Sequence, residues 1–349
     1  MRQTATKVVS LAALATTTTP GTRVVLSLTM PLGEWRGRAK RHRERVVELL
    51  GCEPEEAAKR RTDPKLNFIF QYYYGFKAKH LLHWSPGLGV DLEPGTDDDE
   101  RLLAKRTFWR RSGSDGRLTL DPCYYRLKPS HVEALRSTRA ILRATNREVW
   151  NCYGLHEWAM LYRSAPKKQD HLELRVSQKT IDDVVEAPGA LRCTHFDAFR
   201  FFDDAAKPLN LHRDLGRDRQ PFKEQRACVH YNMDLFKYAL RLMPFIEAEL
   251  LADALSVALQ ARTLDLRASP YDVRAWADPS EGGAMDPVPV ETPAGRKLYT
   301  DLQADIVTQA DPVRRRLASA CDAILASIDS DSIDRSIDRG GKPALASSS

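Results

Sequence analysis

Apolar residues recur at helical spacing over most of the chain, and their pattern predicts a largely α-helical protein. Glu34 to Leu50 reads as an amphipathic helix with a basic polar face, carrying Arg36, Arg38, Lys40, Arg41, Arg43 and Arg45 beside Trp35. Gly51 ends it, as glycine past a helix C-terminus commonly does. Asp63-Pro64 has the form of a helix start and leads into Phe68-Ile69-Phe70-Gln71-Tyr72-Tyr73-Tyr74. Helical periodicity returns from His131 to Arg147, and Ser177 caps a short helix reaching Glu186. Met233, Phe236, Leu240 and Met243 form one stripe on a helix from His230 to Met243. Ile246, Leu250, Ala254 and Val257 form another on a helix restarted by Pro244 and running to Arg267. Both stripes read as core. A last helix is predicted from Arg296 to Ile328.

Strand-like alternation is confined to Leu172-Glu173-Leu174-Arg175-Val176, with Leu191–Phe196 as a returning strand. On such a strand His195 and Asp197 would project from one side. Residues 91–130 carry turn signals, 211–226 are polar, and 278–293 are rich in proline and glycine. The expected fold class is therefore mainly α (α+β): one helical domain over residues 34–328 with a small β element around 172–197.

The two ends differ from this body. Residues 1–33 contain no acid, and their arginine, hydroxyl and small residues have the composition of an organellar transit peptide. Threonine outnumbering arginine favours a chloroplast over a mitochondrion. A secretory signal and an unprocessed, disordered N-terminus on a cytoplasmic protein are the alternatives. The repeats of Ser-Ile-Asp and the small residues of 329–349 predict a disordered tail.

With 42% hydrophobic and 29% charged residues, the 349-residue chain can bury a sizeable core. No window approaches the roughly eighteen apolar residues of a membrane span, so no membrane partner is expected. The net charge of +6 is mild and dispersed, compatible with a nucleic-acid surface without pointing to one. Six isolated cysteines without a Cys-x-x-Cys pair argue against a zinc ribbon and for free thiols in a reducing compartment.

Candidate chemistry concentrates between Arg192 and Asp272, where imidazoles and carboxylates sit among large apolar residues. A charge so placed must be paired, hydrogen-bonded or metal-bound. Histidine stands near a carboxylate at His156-Glu157, at His195-Phe196-Asp197, and at His230 with Asp234 four later. Three readings stay open. Histidines hydrogen-bonded into a helical core need no function. His156, His195, Asp197 and His230 are candidate ligands for a divalent metal, iron or zinc, as in a two-His-one-carboxylate oxygenase or a hydrolase acting on a small molecule. Without any cofactor, Asp197 or Glu157 would activate a water while the histidines position substrate. His80 and His83 share a helix face and form a further pair.

Several blocks resemble a family of bacterial, plant and algal proteins commonly labelled 3-methyladenine DNA glycosylase. They are Asn67–Tyr74, His83-Trp84-Ser85-Pro86-Gly87, Tyr153–Met160, His195–Phe202 and Leu266–Asp272, within residues 34–318. The resemblance implies hydrolysis of the N-glycosidic bond of an alkylated purine in DNA. It would need a flipped base held by aromatics, a carboxylate for water, and basic residues on the phosphates. Asp197, with His195 and Glu157, is then the catalytic candidate; Tyr73, Trp84, Trp158, Arg200 and Asp272 are the substrate-binding candidates. The chain lacks a clear helix–hairpin–helix followed by a Gly/Pro-rich loop and catalytic Asp, so no motif assigns the catalytic residue. A non-enzymatic helical binding protein is the remaining alternative.

Overall fold

A computed structural model describes residues 28–72, 76–104, 108–112, 114–122, 128–164, 172–276 and 285–338. The proposed transit segment up to residue 27 and the tail from 339 lie outside the described residues. Folded structure begins ahead of Glu34, at strand β1 (Leu28–Met30), which pairs in parallel with β2 (Val90–Leu92). β3 (Trp109–Ser112) and β4 (Arg117–Leu120) form an antiparallel hairpin, and the sheet order is β1-β2-β4-β3. The protein is mainly helical with a small mixed sheet, but the sheet is not built where alternation pointed. At 172–177 there is only an isolated bridge, Leu174 with Tyr271, and Phe196–Phe199 is a helical turn. Arg175 explains the first difference. Its guanidinium is held by Ser269 O and bidentately by Glu291, so the segment is anchored through a side chain in place of a strand ladder.

The long helices follow the apolar pattern. α1 (Leu32–Leu50) stops at Gly51, whose φ of 69° is the left-handed cap. α2 (Pro129–Leu142) and α3 (His156–Met160) precede α4 (Gln178–Glu186), where the Ser177 side chain accepts from Thr180 N. α5 (Val229–Leu242) and α6 (Ala248–Ala268) are buried on nearly every face. α7 (Pro293–Asp338) lies against both and carries the chain beyond Ile328, so helical backbone continues through the first ten residues of the expected disordered tail. A helix apolar all round belongs in the middle of a bundle, and α6 holds that place. Asp63 caps the Pro64–Asn67 turn as its sequence predicts, but the aromatic run continues as a π turn, Phe68–Tyr72, with Ile69 and Phe70 in the core.

A smaller apolar cluster under the sheet includes Met30, Trp35, Trp84, Leu92 and Leu118, with Ala248 at the start of α6. Trp35 and Trp84 stack with ring centroids 6.3 Å apart. Among the described residues no helix is long and apolar enough to cross a membrane.

Candidate functional site

Three helices and one connecting turn build the site. α3 is entered through a tight corner: Tyr153 and Gly154 have φ of 52° and 64°, left-handed values that a tyrosine rarely adopts. A Cβ on Gly154 would stand 3.2 Å from the Tyr299 hydroxyl and 3.5 Å from Asp265 Oδ1, so this corner packs directly on the site. α3 then presents His156 and Glu157. α5 presents His230, Asp234 and Lys237 on successive turns of one face, and α6 presents Arg262 and Asp265, three apart. His195 precedes the helical turn that carries Asp197.

At the centre, His156 Nδ1 and His230 Nε2 each lie 3.4 Å from the same atom, Asp265 Oδ1. All three residues are buried, and none of these three atoms completes a hydrogen bond. Buried polar atoms are nearly always paired, so a convergent orphan trio is informative. The two imidazoles meet edge-on, centroids 4.1 Å apart. A metal bound at about 2.0–2.2 Å in a tetrahedral shell separates its donors by about 3.4 Å. The two donor separations given above have that value, and the three donor atoms all lie within 4.8 Å of one another.

The outer contacts hold this trio in place. Asp265 Oδ2 accepts from Arg262 Nη1 at 2.5 Å, and the same nitrogen reaches Glu157 Oε1 at 3.2 Å. That Glu157 oxygen is 3.6 Å from His156 Nε2. At that separation the two are in electrostatic contact, outside hydrogen-bond range. The Arg262 guanidinium lies over the Phe68 ring at 4.3 Å.

Charge follows burial. Desolvation pushes His156 down to about 3, against the opposite pull of Asp265, so the ring is neutral and its unprotonated nitrogen is a competent donor. Burial works against charge on Asp265 too, but His156, His230 and Arg262 outweigh it and hold the carboxyl below its ordinary range. Burial raises Glu157, and Arg262 offsets this only in part.

His195 belongs to an adjoining layer. Its Nδ1 contacts Glu224 Oε2 at 2.9 Å with both side chains fully buried, and its ring stacks on His230 at 5.6 Å. Burial alone would lower His195, yet Glu224 raises it above its ordinary value. His195, Asp197 and Asp234 lie close enough to share an ion, but a protein ammonium already stands among the carboxylates. Lys237 Nζ bonds Asp234 and lies 3.5 Å from Asp197 Oδ2. The expected ligand set of His156, His195, Asp197 and His230 is therefore divided. His156 and His230 face Asp265, while His195 and Asp197 form part of a lysine–carboxylate cluster.

A cavity of about 300 Å³ opens over this centre. His156, Glu157, Met160 and His230 line it, with Phe68, Phe201, Asp197 and five cationic side chains: Arg200, Arg217, Lys237, Arg241 and Arg262; the first two and Lys237 lie against Asp197. Of the residues singled out in the sequence, His156, Glu157, His230, Asp197 and Arg200 reach the cavity, and His195 lies behind its wall. Three substrate-binding candidates do not reach it. Trp84 is in the small core under the sheet and donates to Glu249 Oε1 at 3.3 Å; Trp158 is core and donates to Ala268 O at 2.9 Å. Asp272 pairs with Arg274 near the surface, which draws its carboxyl down to about 2. Tyr73 lies outside the described residues. His83 borders a separate basic cleft with Lys40, Arg43, Lys79 and Arg101.

Sequence reasoning assigned no role to Asp265, Arg262 or Glu224. The first two had a legible signal: opposite charges three apart inside the mostly apolar helical run Ala258–Leu266. Glu224 had none, because its partner lies 29 residues away and the connection between them is irregular. The chain matches no protein-family model, no curated protein and no solved structure.

Proposed function

We propose that this protein is a metal-dependent enzyme acting on a small molecule, with His156, His230 and Asp265 as the ligands of one divalent ion. The carrying observation is the trio of buried donor atoms that complete no hydrogen bond beside a cavity, both imidazole nitrogens 3.4 Å from one carboxylate oxygen and all three within 4.8 Å of one another. Two imidazoles and one carboxylate leave coordination positions open toward substrate, the arrangement used by non-haem iron oxygenases and by catalytic zinc. A bound ion would supply Lewis acidity and either an activated water or, with iron, a site for dioxygen. The chain's own contribution is orientation. Arg262 holds Asp265 and is itself held by Glu157, and Phe68 and Phe201 add apolar surface to the cavity lining.

The test is elemental analysis of protein reconstituted with Fe(II), Zn(II) or Mn(II), beside His156→Asn, His230→Gln and Asp265→Asn variants whose folding is checked by circular dichroism. The reading expects about one ion per folded chain, lost in folded variants. Co(II) substitution adds an optical signature of imidazole and carboxylate coordination. A folded wild-type protein that binds no ion refutes it. Metal identity then directs the activity assay, oxygen uptake for iron and hydrolysis for zinc.

A second reading draws on a different observation, Asp197 at a cavity lined by five cations, three of them against its carboxylate. In it Asp197 activates water for hydrolysis of the N-glycosidic bond of an alkylated purine in DNA, and the cations meet phosphate. Release of 3-methyladenine from methylated DNA by metal-free protein supports it; no release, with metal bound as above, removes it.

A further inference from the structure

The cavity's charge goes beyond what holding a metal requires. Five cations line it; Arg262 and Lys237 are paired with the buried Asp265 and Asp234, whereas Arg200 and Arg217 share the single carboxylate of Asp197, and the ion itself would add two positive charges. Arg200 and Arg217 are the most suggestive pair, because they are aimed by the same atom. Arg200 Nε and Arg217 Nη2 stand 3.3 and 3.2 Å from Asp197 Oδ1. Each spends one nitrogen on that oxygen, whereas a guanidinium offers five N–H donors. Aromatic faces fix their planes: Arg200 lies 4.3 Å over Phe201, and Arg217 5.6 Å over Phe196. Both side chains are about half exposed, at 47% and 63%, whereas His156 and His230 are each 7% exposed. The arginines thus form the rim and the candidate metal ligands the floor. Two guanidiniums lining one cavity mouth, each backed by an aromatic ring, suit the fork geometry of a carboxylate or phosphate.

We propose that the substrate is a small anion, bearing a carboxylate or phosphate group that Arg200 and Arg217 grip at the rim while the remainder reaches toward His156 and His230. This rests on the metal-enzyme reading for what happens at the floor, but the grip itself stands on the rim. Asp197 becomes a positioning residue, holding both guanidiniums in register instead of activating water.

The test is calorimetric titration of the full-length, metal-loaded protein with inorganic phosphate and with succinate, and with succinamide as the uncharged control. Saturable binding of one anion and none of succinamide is expected, and the anion that binds identifies the group. Replacing both arginines, Arg200→Gln with Arg217→Gln, is expected to weaken binding by about ten- to a hundredfold. Arg101→Gln, at the separate basic cleft, is expected to leave it unchanged. Metal content measured on the same samples keeps the two readings apart: anion binding without metal sinks the metal centre alone, and metal without saturable anion binding sinks this proposal alone. Equal weakening by Arg101→Gln, or full affinity in the double variant, also overturns it.

Discussion

Replacing Arg262 by methionine isolates the element on which the centre depends. Its Nη1 is 2.5 Å from Asp265 Oδ2 and 3.2 Å from Glu157 Oε1, and the side chain is only 3% exposed. At an effective dielectric of about 20, each of these attractions is worth about 5–7 kcal/mol before desolvation. Desolvation of the guanidinium consumes much of that, and loss of one partner from a buried ion pair costs about 3–5 kcal/mol net. Methionine fills similar space over Phe68, so no large cavity adds to the cost. The metal-free variant should therefore lose about 3–5 kcal/mol, against the ~5–15 kcal/mol that holds a typical domain folded. Urea unfolding followed by circular dichroism in the presence of EDTA measures it. Repeating the titration with excess Zn(II) should recover part of the loss, because the ion replaces the missing charge beside Asp265. A ligand at a hundred times its Kd contributes about 2.7 kcal/mol. A metal-free loss below about 1 kcal/mol would refute the electrostatic argument, since the spread of ordinary substitutions reaches that size.

Asp197→Asn should leave metal stoichiometry unchanged by elemental analysis; loss of the ion would move the centre to the His195–Asp197–Asp234 group. Gly154→Ala forces a left-handed alanine, at about 1–2 kcal/mol, and crowds the Tyr299 hydroxyl at 3.2 Å beside Asp265 Oδ1, so competition with a chelating dye should report weaker metal binding. His42, buried with its Nε2 donating to Leu81 O at 2.8 Å, is held by desolvation below its ordinary value. Protons then bind the unfolded chain more readily, so His42's contribution is present above about pH 6.5 and declines as pH falls toward its folded value. His42→Gln should flatten that part of the stability profile in urea titrations between about pH 6.5 and 5, and an unchanged slope would contradict the assignment.

Local chemistry made much of the fold legible. Gly51, Asp63-Pro64 and Ser177 mark helix ends because capping depends on neighbours in the chain, and the stripes of α5 and α6 follow from the 3.6-residue repeat alone. The stretch from Arg192 to Asp272 likewise announced itself, because charges embedded in apolar sequence must be compensated somewhere. What compensates them is a matter of tertiary contact. His156 meets Asp265 across 109 positions and Glu157 meets Arg262 across 105, and no spacing rule reaches that far. Trp84 and Trp158 were read as stacking platforms because an indole at a buried site and one at a binding site look alike in sequence; only packing sent both into the core. Asp197 and Asp265 illustrate the same limit. Each is a carboxylate in an apolar neighbourhood, but three cations gather around Asp197, while two imidazoles turn nitrogens that complete no hydrogen bond toward Asp265. Which carboxylate meets imidazoles and which meets cations was decided by how α3, α5, α6 and the Phe196–Phe199 turn pack together.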